Sequence, residues 1–308
     1  GQPQKLAMPI PLKTALIGEQ SGAEIAAEQL ILLDQPRQSV RFEGVSEAPL
    51  LSINRAFSAP VTIHAERKPH DLERLAASDT DPFARYEAMQ ELAMGLLLAG
   101  ARDETVDAQP LIRAVGNTLR SNALDPAFKA EAILLPSEAL IAERMQVVDP
   151  DAIHTSREHL RAAIGNALAD PLRAAQEAGI AAGHDLSPAA KGTRRLRTVA
   201  LGLMAAGDPA ETARRAKAQF DTADNMTDRQ GALGVLVSLD GEERDVALQA
   251  FYDRFADDAL VIDKWFGLQA AAQRADTLEQ VKALARHPAF TLQNPNRLRS
   301  LAGSFAMN

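Results

Sequence analysis

A small polar residue followed by proline recurs along most of this chain, each time before apolar residues at helical spacing. Asp, Ser and Asn side chains accept hydrogen bonds from the free N–H groups of a first helical turn, and proline fits the first helical position. The pattern therefore predicts a succession of helices with defined starts. The dipeptides are Asp81-Pro82, Asp125-Pro126, Asp149-Pro150, Asp170-Pro171, Ser187-Pro188, Asp208-Pro209 and Asn294-Pro295.

Further local signals support the helices. Gly100, Gly183 and Gly207 stand where helices should end, and Glu211, three residues after Asp208, predicts a capping box. Helices joined by short loops pack as antiparallel pairs, and this many helices cannot share one bundle core. We therefore predict an irregular α-helical superhelix over residues 67–308.

Residues 1–66 have a different pattern, with short apolar or alternating segments separated by turn residues. Such segments predict a small, incomplete antiparallel β-sandwich as a first domain. The expected fold class is thus mainly α, with a truncated sandwich before the superhelix. The predicted strands are 7–17, 29–33, 39–42, 50–53 and 61–65.

Composition excludes several classes of function. The net charge of −8 makes nucleic acid an unfavourable partner, and we interpret Arg194, Arg195 and Arg197 as a solvated helix face. Without cysteine there are no disulfides or thiolate metal sites, which agrees with a reducing, cytoplasmic location. No apolar run approaches the length of a membrane span. We see no signal peptide, and we expect the abrupt start to be the boundary of a longer chain.

Five segments carry a resemblance to a known family. They are Phe57 to Val61, Ile133 to Ser137, Asp224 to Asp228, Leu260 to Ala270 and Phe290 to Ser300. They closely resemble parts of bacterial aminopeptidase N, a family of zinc-dependent aminopeptidases of the gluzincin type. The resemblance implies that this chain is the C-terminal part of such an enzyme, beside the catalytic domain of the same polypeptide, with peptides as substrates.

The family's zinc ligands are missing from this sequence. Its His-Glu-x-x-His pattern and its Gly-x-Met-x-Asn strand do not occur, and no histidine is followed by glutamate. His154, Glu158 and His159 come nearest. On a helix His154 and Glu158 share one face, but His159 points about 100° away. We therefore assign no catalytic residue, no metal ligand and no cofactor to this chain, and place the zinc elsewhere in the parent enzyme.

The resemblance also suggests substrate-channel residues. It implies that the superhelix forms a wall of the substrate chamber, which Arg299 and Asn296 would face. A guanidinium there could bind the C-terminal carboxylate of a peptide. The alternative is structural: Arg297 or Arg299 caps carbonyl groups or pairs with Asp263. Trp265 and Phe266 are expected in the core, with a recognition platform as the alternative.

Two hypotheses about function follow. The first is a non-catalytic portion of a zinc aminopeptidase that shapes and gates the substrate chamber. The second is a free-standing helical scaffold that binds a protein partner in its concave face. The first predicts an apolar surface where a catalytic domain packs, whereas the second predicts polar capping helices.

Overall fold

Three strands form an antiparallel sheet at the start of the chain, in the order β2-β1-β3. In the computed structural model, which describes residues 8–179 and 185–308, they are β1 (Ile10–Gly18), β2 (Glu24–Leu33) and β3 (Pro49–Ile53). Leu16 of β1 lies opposite Leu51 of β3. The mainly α fold class, with a small antiparallel β part before the helices, is confirmed.

Two of the predicted strands are wrong. Residues 39–42 and 61–65, both within the described part of the chain, have no strand structure. Residues 61–65 do alternate between half-buried and exposed positions. Alternation reports that one side of an extended segment is covered, and it does not require a hydrogen-bonded neighbour.

Most of the remaining regular structure in the described chain is helical, and several helices begin at the predicted prolines. After a 3₁₀ turn at Arg55–Phe57, they run in the order that follows. They are α1 (Pro69–Ser78), α2 (Pro82–Ala101), α3 (Gln109–Arg120), α4 (Pro126–Ala132), α5 (Glu138–Ala142), α6 (Pro150–Ala167), α7 (Ala169–Gln176), α8 (Pro188–Gly207), α9 (Pro209–Thr222), α10 (Met226–Leu236), α11 (Glu242–Phe255), α12 (Ala259–Ala270), α13 (Thr277–Leu284), α14 (Pro295–Leu298) and, after a π-helical turn at Arg299–Gly303, α15 (Ser304–Ala306).

The predicted caps are confirmed with one exception. The side chains of Asp81, Asp125, Asp149, Ser187, Asp208 and Asn294 all accept backbone N–H groups of the following turn. Asp170-Pro171 is wrong as a helix start, because α7 already begins at Ala169 and both residues lie in its first turn. Proline is tolerated there because N–H groups of a first turn have no intrahelical partner.

The glycine and capping-box predictions have mixed outcomes. Gly207 is the last residue of α8, whereas α2 continues one residue past Gly100. Gly183 lies outside the described residues. The N–H of Glu211 donates to Asp208 Oδ1 at 2.9 Å, but the carboxylate of Glu211 binds Arg173 and Arg215. Only half of the predicted box therefore forms.

The chain divides into two compact units, Gly1–Pro171 and Leu172–Asn308. The second unit has a core of aliphatic and aromatic side chains that includes Leu201, Phe251, Phe266 and Leu301. The expected domains, 1–66 and 67–308, divide the chain by type of secondary structure and stay a prediction.

In the first unit, polar contacts connect the strand region to the first helices. Arg55, which is 4% exposed, donates to Glu24 at 3.1 Å and lies 3.5 Å from the buried carboxylate of Asp79. Arg74 of α1 donates to the carbonyl groups of Glu19 and Gln20. The β1–β2 turn and α1 are thus held together by buried and half-buried charges.

The interpretation of the arginines on α8 as a solvated face is wrong for Arg194. Its side chain is buried, donates to the carbonyl oxygen of Asp185 at 2.6 Å and lies 3.7 Å from Asp228 Oδ2. Arg197 is half-buried, lies 3.8 Å from Asp228 Oδ1 and donates to the carbonyl of Gln176. The acidic partner is far away in sequence, so the local charge pattern could not indicate burial.

Candidate substrate-facing turn

The turn that contains Asn296 and Arg299 begins at a capped proline. Asn294 Oδ1 accepts the N–H groups of Asn296 at 3.0 Å and of Arg297 at 3.4 Å. Pro295 then opens α14. Both bonds satisfy N–H groups that have no partner in the helix itself, so the start of this turn is fixed by its own sequence.

Arg297 is the buried arginine of the turn. Its guanidinium donates to Asp263 Oδ1 and to the carbonyl groups of Ala259 and Ala289. It also lies over the ring of Phe266, 5.0 Å from the ring centroid. The structural alternative from the sequence, an arginine that caps carbonyl groups and pairs with Asp263, is therefore the role of Arg297.

Arg299 and Asn296 are both exposed. Among the described residues, neither side chain makes a hydrogen bond or ion pair. The two positions are three residues apart, so their side chains lie on one face of the turn. The pair therefore presents an unused cation and an amide to the outside of the second unit.

A glycine on α12 lets the π-helical turn pack closely against that helix. A Cβ atom on Gly267 of α12 would lie 3.4 Å from the carbonyl oxygen of Ser300 and 3.4 Å from Ser304 Oγ. The π-helical turn packs directly against α12 at this point. Sequence reasoning did not single out Gly267, and an isolated glycine inside a helix is the signal that could have found it.

An aromatic cluster lies beside the turn. Trp265 is buried and donates from its indole N–H to the carbonyl of Leu248 at 3.0 Å, which confirms its core position. Its ring lies 5.3 Å from that of His287, which in turn lies 5.0 Å from the Tyr252 ring. Burial, and then the Arg297 cation, lower the pKa of His287.

The histidine motif on α6 is not a metal site. His154 and His159 are exposed, and His154 Nδ1 lies 2.8 Å from Glu138 Oε1. Glu158 instead accepts bonds from Arg161. Within residues 8–179 and 185–308, no three His, Cys, Asp or Glu side chains come together to hold a metal ion. The residues present therefore do not fit a zinc site.

None of the helices in the described ranges combines the length and apolar character needed to cross a bilayer.

The fold is a succession of helices preceded by a small antiparallel sheet. A family described as ARM repeats in a domain of unknown function, DUF3458_C, matches residues 69–308, and its partner DUF3458, described as an Ig-like fold, matches residues 1–66. Because the ARM-repeat family covers more than half of the sequence, the chain belongs to it.

Three curated relatives of this chain are aminopeptidase N proteins. The chain is 40% identical to aminopeptidase N of Caulobacter vibrioides over 92% of its length and 34% identical to that of Escherichia coli over 88%. It covers 33% and 32% of these proteins, so it spans about a third of the length of the curated relatives it matches. The resemblance to the aminopeptidase N family is confirmed.

A solved structure agrees with this assignment. The crystal structure of Legionella pneumophila aminopeptidase A in complex with aspartic acid superposes with a TM-score of 0.84 at 32% identity. The match covers 97% of this chain and 36% of that one.

Proposed function

We propose that this chain is the non-catalytic C-terminal portion of a zinc aminopeptidase that removes N-terminal residues from peptides. The observation that carries the proposal is the 29–40% identity to aminopeptidase N proteins over nearly the whole chain. In this proposal the catalytic domain of the same polypeptide is the main partner and peptides are the substrates.

Zinc belongs to another part of the polypeptide in this proposal. Catalytic zinc needs three protein ligands and an open position for water, and the sequence has no His-Glu-x-x-His motif to supply them. The chain then contributes to substrate binding and access, and it contributes no group to bond cleavage.

We assign the substrate-facing role to Arg299, with Asn296 beside it. An exposed guanidinium without an internal partner is available to a carboxylate, which it can bind through two parallel N–H groups. A peptide whose N-terminus is held at the zinc has its C-terminal carboxylate some distance away. The helical domain would thus shape and gate the chamber.

Further assignments rest on the same proposal. The β part, residues 1–66, and the helical part, residues 67–308, would correspond to two domains of the parent enzyme. The absence of cysteine favours a cytoplasmic enzyme. A free-standing scaffold that binds a protein partner is the competing hypothesis. The side chain of Val147 is 81% exposed, and under either hypothesis it could contact the partner domain or protein.

The test uses the complete aminopeptidase that contains this chain. Arg299→Ala should lower kcat/KM for a short peptide with a free C-terminus and spare the same peptide as a C-terminal amide, because the amide carries no negative charge. A hydrogen bond to a charged group contributes about 1.5–3 kcal/mol, so the expected loss is roughly tenfold to a hundredfold.

The control is Arg286→Ala, since Arg286 is also an exposed arginine of the second unit. It should leave both substrates unchanged. Equal losses on the acid and the amide, together with a lower melting temperature, would assign Arg299 to structure.

A further inference from the structure

The core-facing residues of the final turn are spaced four residues apart. Arg297 and Leu301 are buried, and Phe305 is partly buried against the same core. These positions are four residues apart, and two steps of four in a regular α-helix overshoot two turns by about 80°. A regular helix would therefore place Phe305 toward the edge of the buried face.

The π-helical turn reduces this rotation of Phe305 relative to Arg297. The N–H of Ser304 donates to the carbonyl of Arg299, five residues earlier, so this turn holds more residues than an α-turn. It keeps Leu301 and Phe305 on the side of Arg297. Arg299 follows Arg297 by two residues, which by ordinary helical geometry places it on the opposite side, about 200° around the helix.

An arginine at a core position carries a free-energy cost of desolvation. Burying a guanidinium costs free energy unless its donors are paired, and an apolar residue of similar volume is often equally stabilising. The guanidinium adds a defined orientation between the groups it joins, because its planar set of N–H donors forms hydrogen bonds at fixed angles. Its acceptors, Asp263, Ala259 and Ala289, belong to α12 and to the segment before α14.

We propose that Arg297, through its pair with Asp263, is a positioning residue for Arg299. The pair fixes the rotation of the turn on α12, and that rotation sets where the Arg299 guanidinium meets the carboxylate of a peptide. This inference rests on the proposed function. It predicts that loosening the buried pair weakens recognition of the carboxylate selectively, beyond any loss of stability.

The test is a double-mutant cycle in the complete enzyme, with Asp263→Asn and Arg299→Ala alone and together. The readout is the ratio of kcat/KM for a tripeptide acid to kcat/KM for its C-terminal amide. Asp263→Asn keeps the size of the side chain and removes its charge. It should lower the ratio by about threefold or more, with no further decrease when Arg299 is already alanine.

Two variants complete the design. Arg297→Lys keeps the charge without the fork and should change the ratio in the same direction, and it replaces Asp263→Asn in the cycle if that variant does not fold. Arg274→Lys is the matched control, because Arg274 also binds a carbonyl group, that of Leu239, and a carboxylate, that of Asp276. It should lower the melting temperature and leave the ratio unchanged.

The possible failures are distinguishable. An unchanged ratio in Arg299→Ala would contradict the substrate-facing role proposed for Arg299, on which this inference rests. A lowered ratio in Arg299→Ala but an unchanged one in folded Asp263→Asn and Arg297→Lys would contradict only the positioning role. So would a decrease by Asp263→Asn that is equally large with and without Arg299.

Discussion

Asn225 and Asp228 bind each other at the start of α10. The backbone N–H of Asp228 donates to Asn225 Oδ1 at 2.9 Å, and Asn225 Nδ2 donates to Asp228 Oδ2 at 2.9 Å. Both side chains are buried, and Asp228 also faces Arg194 and Arg197 of α8. The helix cap is therefore part of a buried charged cluster.

Replacing Asn225 with alanine should destabilise the second unit by about 2 kcal/mol or more. The change removes a helix cap, which typically contributes ~1 kcal/mol, and also takes a hydrogen-bond donor from a buried carboxylate. The measurement is the free energy of unfolding in urea, followed by the fluorescence of Trp265, which lies in the same unit.

The matched control is Asp258→Ala. Asp258 is an exposed cap of α12 in the same unit and accepts the N–H groups of Leu260 and Val261. It should cost about 1 kcal/mol. Equal losses for the two variants would show that Asn225 acts as an ordinary cap and that its bond to Asp228 adds nothing.

The stability of the second unit should fall when the pH drops below about 6.5, and His287 should account for part of this. His287 Nδ1 accepts the N–H of Ala289 at 3.1 Å, which requires the neutral ring. Its pKa is lowered in the folded state, first by burial and then by Arg297. The unfolded chain therefore binds more protons, so stability is present above the ordinary pKa and lost as the pH falls toward the lowered one.

The variant His287→Asn tests this assignment. Asparagine keeps an acceptor near the position of Nδ1 and does not titrate, so the slope of melting temperature between pH 5 and 7 should become smaller. His159→Asn is the control, because His159 is exposed on α6, and it should leave the slope unchanged. A slope that is unchanged in His287→Asn would assign the pH dependence to other groups.

Glu211 should contribute stability that is lost at more acidic pH. Hydrogen bonds from Arg173 and then from Arg215 lower the pKa of this carboxyl group from 4.5 to about 2. Its contribution is present above pH 4.5 and disappears as the pH falls through about 2. Glu211→Gln should therefore be less stable than the unmodified protein at neutral pH, and the difference should vanish near pH 2.

The control for Glu211 is Glu279→Gln. Glu279 binds Lys282 on an exposed face of α13, and such surface pairs contribute little to stability. Unfolding curves recorded at several pH values for both variants provide the comparison. A difference between Glu211→Gln and the unmodified protein that is constant with pH would show that the carboxylate charge is not responsible.

The isolated chain should bind no stoichiometric zinc and should not hydrolyse aminoacyl arylamides. The reason is that the sequence lacks the ligand pattern of a catalytic zinc helix. Metal analysis of the purified chain after incubation with zinc, together with an activity assay, is the measurement. One tightly bound zinc ion with turnover would contradict the assignment of the catalytic group to another part of the polypeptide.

Contacts between residues close together in the sequence could be predicted from it. Contacts between residues far apart in the sequence could not. Asp81 and its proline predict a capped helix because the partner N–H groups are three residues away. Arg194 was assigned to the wrong environment because its acidic partner, Asp228, lies on another helix. For the candidate turn, the sequence proposed both Arg297 and Arg299, and only packing against Asp263 separates the buried residue from the exposed one.

The contacts of Arg55 and Arg74 have a consequence for how this molecule can be divided. Burial raises the pKa of Asp79, and Arg55 from the strand region is one of the groups that offset this cost. A cut between residues 66 and 67 would separate that buried acid from the Arg55 cation and would leave Arg74 without its two carbonyl partners. The strands and the helices that follow them should therefore unfold in one cooperative step. Recombination between homologous genes would then preserve stability better near residue 171 than at the visible change from strand to helix.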